Sequence, residues 1–409
     1  MRTVHGSLSR RGASAAVMLG LTTLGTAAAS CAGNEDDVTA REDDAGGNSI
    51  PIVDAAAADA TDGGCDGDST DCTTHEPPCE AEWCPVNTNH DVRLGLSSVW
   101  GSGPNDVWVV GAAGSVLHWD GSAWTSASVG TNQSLYAVWG SGPNDVWAVS
   151  SPSVIFHTTG FANGAAEWSR AMGVADSLVD VGAFGKFVRT IWGTSSNDVW
   201  VGGDPFARKG SYLQWGGWRS SVVDGGAAWV PASSNTITAI WGSGPEDVWV
   251  VGPGSRGIKY GGSSAAHTNG VVDANGVPVW TAFETQSSEV LYAIWGSGPG
   301  DVWTVGARGT IRHFTAGASR FRIIDSPTTV TLRGVWGSGP SDVWAVGDEG
   351  TLLHYDGTTW RAATGAFPPG LKPNLYGVWG SGPSDVWAVG SGVVLHYSGP
   401  KPDAGGADR

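Results

Sequence analysis

Two kinds of titratable residue recur at fixed places in this 409-residue chain. Aspartates stand at Asp106, Asp145, Asp198, Asp247, Asp301, Asp342 and Asp385, each followed by Val-Trp. Histidines stand at His118, His157, His313, His354 and His396, eleven or twelve residues after five of those aspartates. A carboxylate beside an imidazole can work as an acid–base pair, and a ring of carboxylates can gather cations or a basic partner. Recurrence argues against both. A catalytic group has no need of seven equivalent copies, and histidines in separate repeat units stand too far apart to share a metal. The simpler chemistry is structural: each aspartate ties down its own turn, and each histidine bonds to that turn, His118 to the neighbourhood of Asp106 for example. No metal site and no cofactor is expected.

The remaining chemistry-bearing residues form no constellation. Arg189, Arg256, Arg308, Arg312 and Arg333 could serve an acidic substrate, but their spacing shows no pattern. There is no nucleophile elbow, zinc-protease motif or phosphate loop. Asp62, Asp66, Asp68 and Asp71 lack the position-twelve Glu of a calcium loop. Cys65, Cys72, Cys79 and Cys84 form an even set at close spacing, which in an exported chain reads as two disulfides with three possible connectivities. They are expected to staple a linker to the folded domain.

The aspartates belong to a larger unit. Val99-Trp100-Gly101-Ser102-Gly103-Pro104-Asn105-Asp106-Val107-Trp108 occurs seven times with small changes. Its first Trp is Trp100, Trp139, Trp192, Trp241, Trp295, Trp336 and Trp379, at intervals of 39, 53, 49, 54, 41 and 43 residues. That brackets the roughly 40–50-residue period of a propeller blade. In the first unit four strands are legible: Leu96–Trp100, Asp106–Gly111, Ser115–Trp119, and one starting near Trp124. Pro104 presets a turn, Asp120-Gly121 is a hairpin dipeptide, and the unbroken apolar run Val107-Trp108-Val109-Val110 fits a strand covered on both faces. An isolated blade has two apolar faces, so copies must stack. Each indole can bury about 150–250 Å², and the fourteen repeated ones are expected in the core. The chain is therefore read as all-β, a seven-bladed β-propeller over 79–399.

The seventh unit lacks a fourth strand before the polar tail 400–409. Trp83 precedes Leu96 by thirteen residues, much as Trp124 precedes Leu135 by eleven and Trp360 precedes Leu375 by fifteen. Residues near 81–87, with Trp83, are expected to complete the last blade and close the ring. Blades two to four carry longer connections, read as Gly160–Val188, Gly202–Tyr212, Arg219–Ala228 and Gly261–Val279. Extra loops on a rigid scaffold are where binding tends to sit. One of them holds the basic-aromatic spot Phe206-Ala207-Arg208-Lys209.

The N-terminus reads as an export signal over 1–30: Arg2, Arg10 and Arg11, an apolar stretch from Ala15 to Ala29, then small residues before Cys31. Ala28-Ala29-Ser30-Cys31 resembles the lipobox of bacterial lipoproteins. That implies lipidation at Cys31; ordinary cleavage would leave Cys31 free. Residues 31–78 read as an acidic flexible linker, poor in large apolar side chains. Of the net charge of −17, residues 32–95 contribute sixteen acids against two Arg, while 96–409 hold 23 acids and 17 Lys and Arg. A mildly acidic repeat region offers no basic face for nucleic acid.

The ending Leu353-His354-Tyr355-Asp356-Gly357-Thr358-Thr359-Trp360 resembles the Asp-box or BNR-type repeats of sialidase-like and photosystem-assembly-factor-like propellers. Val-Trp-Gly followed by Asp-Val-Trp resembles tectonin repeats, some of which are lectins. The whole resembles propeller lipoproteins that certain bacteria carry in many copies. These resemblances imply a propeller. The expectation is a non-catalytic, monomeric module, exported and held by lipid at the outer membrane or cell surface, that binds a protein or glycan. The alternatives are a tectonin-type carbohydrate-binding lectin and a sialidase-like hydrolase or lyase.

Overall fold

The computed structural model describes residues 79–401, apart from 151–153, 172–187, 208–213, 224–225, 234, 254–261, 368–369 and 371. Cys31, Cys65, Cys72, the leader, the acidic segment to residue 78 and most of the tail lie outside the described residues. So do Arg208 and Lys209.

Seven four-stranded antiparallel sheets follow one another along the chain. The first blade shows the plan: Leu96–Gly103, Asp106–Gly111, Ser115–Trp119 and Trp124–Ser128, paired in that order. The first strand runs three residues past the expected Trp100, through the Gly-Ser-Gly that leads into the Pro104-Asn105 turn. First strands of neighbouring blades touch. Val138 N–H donates to Ser98 Oγ (3.3 Å), and Thr238 Oγ1, just before the first strand of its blade, donates to the Leu291 carbonyl (2.7 Å). The first strands therefore line the common axis and the fourth strands form the rim. Val107, Trp108, Val109 and Val110 are fully buried, as a strand between stacked sheets must be.

Two sets of indole contacts join the blades. In the inner set each first Trp lies across the glycine that follows the first Trp of the next blade. A Cβ placed on Gly140 would stand 2.5 Å from Trp100 Cη2, and one on Gly101 would stand 2.6 Å from Trp379 Cη2. Val-Trp-Gly thus carries both halves of one contact: an indole given to the next blade and a bare backbone that receives one. In the outer set the aromatic at or just before the fourth strand meets the second Trp of the preceding blade edge-on. Trp124–Trp387, Trp168–Trp108, Trp280–Trp200, Phe321–Trp249 and Trp360–Trp303 all have ring planes between 74° and 89° apart. The second-position indoles are buried, Trp147 excepted. Of the first-position indoles only Trp139 is buried and the others are half-buried, a departure from the expected core. They sit on the innermost strand, which has no sheet neighbour on the side of the axis.

The ring closes as the sequence predicts. Cys84–Pro85 pairs antiparallel with Val393–Tyr397, so the last blade takes its fourth strand from the N-terminal side. Pro85 is tolerated because this is an outer edge. Trp83 has no exposed surface. Its N–H donates to the Thr364 carbonyl (3.0 Å), and the Ala366 N–H donates to its carbonyl (2.9 Å).

Cys79 and Cys84 are joined by a disulfide that spans only five positions. It closes a small loop next to Trp83, a local clasp where a staple between linker and blades was expected.

Two of the expected insertions include blade strands. Arg219–Ala228 is the hairpin between the third and fourth strands of blade three, Gln214–Val223 and Gly226–Ser233. Gly261–Val279 contains the third strand of blade four, Ser263–Thr268. Much of Gly160–Val188 and Gly202–Tyr212 lies outside the described residues; the described part of the first holds the small hairpin Phe161–Ala162 with Ala165–Ala166.

Candidate functional site

Six of the seven first strands carry a bulge at both ends and that of blade four carries one at its far end alone, and equivalent positions at the two ends form two rings. In the first blade Gly101 and Gly103 pair with Val107 and Asp106, which leaves Ser102 unpaired. Leu96 and Ser98 pair with Gly111 and Val110, which leaves Ser97 unpaired. A bulge re-aims the extra residue's side chain, so the two ends of the strand present two separate chemistries.

At the Ser102 end sits the aspartate network. Ser102 Oγ donates to Asp106 Oδ2, and the equivalent hydroxyl does so in all seven blades at 2.5 to 2.6 Å, with Thr194 in blade three. His118 Nε2 bonds to Asp106 Oδ1, and the same bond joins His157 to Asp145, His267 to Asp247, His313 to Asp301, His354 to Asp342 and His396 to Asp385, at 2.5 to 2.8 Å. In blade three Arg219 Nε replaces the imidazole on Asp198, 2.6 Å away. The sequence reading missed His267 and Arg219.

The second Trp completes the network in two ways. Trp108, Trp147, Trp200 and Trp249 donate their indole N–H to the aspartate at 2.9 to 3.2 Å. In the last three blades the indole instead lies flat on the imidazole: Trp303–His313 at 3.8 Å and 12°, Trp344–His354 at 4.2 Å and 25°, Trp387–His396 at 4.0 Å and 19°. Burial pushes the Asp106 carboxyl up, but its bonds to His118, Ser102 and Trp108 outweigh that and hold it below its ordinary value. The same balance lowers Asp247, Asp301, Asp342 and Asp385. Both carboxylate oxygens are bonded from inside the blade, so these aspartates serve as turn anchors. The rim turns work alike: Asp120 Oδ1 accepts from the N–H groups of Ser122 and Ala123 and from Ser122 Oγ, bonds that hold its carboxyl down at about 2.

The Ser97 end is different, because its residue changes from blade to blade. The position three before each first Trp holds Ser97, Tyr136, Arg189, Thr238, Tyr292, Arg333 and Tyr376. Six of these are bulge residues; Thr238 stands just before the first strand of its blade. Their strands surround the axis, so the seven positions ring one mouth of the propeller. The Arg333 guanidinium lies 5.4 Å from the centre of the Tyr292 ring and 5.6 Å from that of Tyr376, a cation between two aromatic faces. Asp348 holds the same guanidinium through Nε and Nη2, and the Asp348 bond raises the Arg333 pKa. Arg189 Nη2 bonds to Asp204 at 3.3 Å, and the Tyr376 hydroxyl bonds to Ser391 Oγ at 3.2 Å. Tyr292, Arg333 and Tyr376 are thus pre-organised yet half-exposed, and Arg189 is exposed.

Among the described residues no group of three or more His, Cys, Asp or Glu is placed to hold a metal ion. No described helix is long and apolar enough to cross a membrane.

No family model and no curated protein matches the sequence. Solved structures match the fold. YCF48 bound to D1 peptide is similar with a TM-score of 0.56 and 17% identity, over 78% of this chain and 97% of that one. The WD40 β-propeller domain of Doa1 is similar at 0.53 and 12%, over 78% and 95%. A streptogramin B lyase is similar at 0.55 and 14%, over 77% and 97%. The likeness is one of architecture. A propeller carries binding and catalysis alike, so function must be argued from the site.

Proposed function

We propose that this protein is a non-catalytic binding propeller that takes a protein segment across the mouth ringed by Tyr136, Arg189, Tyr292, Arg333 and Tyr376. The observation that carries this reading is the Tyr292–Arg333–Tyr376 stack. Tyr and Arg are the residue types that dominate binding hot spots, because each offers a large, stiff face with a polar end. Here they are already ordered, so a ligand would lose little side-chain entropy. That the similar YCF48 structure holds a peptide supports a peptide ligand by analogy of fold.

Placement at the envelope rests on the sequence: the Arg-led leader, Cys31 after small residues, and the acidic linker that follows. In this reading the lipid on Cys31 holds the chain at the membrane, and the linker lets the mouth reach its partner.

The test is affinity capture from solubilised envelopes with wild type and with Tyr292→Ala/Tyr376→Ala. The reading expects one or a few specific proteins on wild type and at least a tenfold loss on the variant, with the melting temperature held. Capture by both alike, glycan-array binding in place of protein capture, or turnover of an envelope polymer would each reject it.

A further inference from the structure

A second site of a different kind lies at the rim, where the fourth strands of adjacent blades meet. Two of these seams are bridged by backbone bonds. At the seam of blades six and seven the Trp83 and Ala366 N–H groups make the paired bonds described above. At the seam of blades four and five the Phe321 N–H donates to the Glu284 carbonyl at 3.0 Å. The seam of blades five and six has Pro327 where its neighbour has Ala366, thirty-three residues short of Trp360. Proline has no N–H, so the second bond of the bridge cannot form there. A groove of about 580 Å³ opens at that seam, between the outer strands of the two blades.

The closed seam shows what such a place accepts. Glu82, just before Trp83, reaches Arg361 on the fourth strand of blade six: Nη1 lies 3.0 Å from Oε1. Oε2 takes the Thr364 N–H at 2.7 Å. Burial pushes the Glu82 carboxyl up, but these bonds outweigh it and lower it. Arg361 stands cross-strand from His354 and bonds to its Nδ1 at 3.3 Å.

Arg322 repeats this arrangement one blade earlier. It is cross-strand from His313, with Nη2 3.3 Å from His313 Nδ1. The residue that should supply its carboxylate, just before Trp360, is Thr359. Among the described residues no carboxylate pairs with Arg322, and its side chain lines the groove. Asp325, which also lines the groove, takes the place of Thr364. Its backbone N–H can serve a carboxylate as that of Thr364 does, while its own carboxylate weakens the site.

We propose that the groove between blades five and six binds an extended segment of a partner protein through one Glu or Asp side chain, seated on Arg322 as Glu82 is seated on Arg361. This site is separate from the mouth, and either can fail without the other.

The experiment uses the full chain and two fluorescein-labelled peptides, acetyl-Gly-Ala-Glu-Leu-Ala-Gly and its Glu-to-Gln counterpart, read by fluorescence polarisation at low salt. The Glu peptide should bind at least fivefold more tightly than the Gln peptide. Arg322→Ala should weaken the Glu peptide at least tenfold and erase the difference, and Arg322→Lys should keep part of it. Asp325→Asn should tighten binding, since it removes a like charge, and Tyr292→Ala at the mouth should leave it unchanged. Equal binding of the two peptides, no binding of either, or insensitivity to Arg322→Ala in a variant that melts with wild type would each overturn the proposal.

Discussion

Trp83 meets Trp344 edge to face, with ring centroids 5.0 Å apart and planes at 84°. The two residues stand 261 positions apart, yet the contact copies that of Trp124 with Trp387, at 5.2 Å and 81°. A residue upstream of every repeat thus plays the part that Trp124 plays within one. Such a pair adds about 0.5–1.5 kcal/mol beyond the area it buries.

Trp83→Ala should therefore cost about 3–5 kcal/mol, the usual toll for emptying a buried indole site, and a chain starting at Leu96 should lose at least as much. Chemical denaturation followed by indole fluorescence measures both. A truncated chain as stable as the full one would show that the ring does not need its N-terminal strand.

Gly140 and Gly142 make a matched pair for the inner contact. A methyl on Gly140 collides with Trp100 and with the Asp145 carbonyl of its own blade, whereas one on Gly142 meets nothing within 4 Å. Gly140→Ala should destabilise by about 1–3 kcal/mol, as overpacking does, and Gly142→Ala by well under that. Equal effects in thermal melts would mean that the backbone at Gly140, between Trp100 and the Asp145 carbonyl, is not under tight steric control.

Acid should loosen the blades through the aspartate network. Asp106, Asp247, Asp301, Asp342 and Asp385 sit below the ordinary value of 3.8 when folded. Between the folded and unfolded values the unfolded chain binds more protons, so stability rises with pH there. This contribution is fully present above the unfolded value and is lost as pH falls through the folded ones. Melting temperatures should hold down to about pH 5 and drop below about pH 4, with a shallower drop in Asp342→Asn. A flat profile to pH 2.5 would argue against the network.

Reducing the Cys79–Cys84 bridge should cost about 2 kcal/mol on loop-closure grounds, felt first at the closing strand. Hydrogen exchange at Trp83 and Ala366 would register it before the other blades respond.

The fold was legible because its contacts repeat. Trp, Asp and the following Gly recur at fixed offsets, and five histidines keep an offset of eleven or twelve. His267 escaped because twenty residues separate it from Asp247, the second and third strands of that blade being joined by a longer connection. Arg219 escaped because it does the work of an imidazole with another side chain. The mouth was hidden for a deeper reason. Ser97, Tyr136, Arg189, Thr238, Tyr292, Arg333 and Tyr376 share a place but no chemistry, so a search for recurring residues passes over them. The clue was a constant position with changing content, three residues before each first Trp. Pro327 was equally silent, since its effect is a backbone bond that its neighbour Ala366 makes and it cannot.

The most direct test of the binding account is photo-crosslinking in intact cells, with benzoylphenylalanine in place of Tyr376 at the mouth or of Ser122 on a rim turn. The account predicts a discrete protein adduct from position 376, lost when Arg333→Ala is added, and none from position 122. No adduct from 376, or the same adducts from both positions, would contradict it.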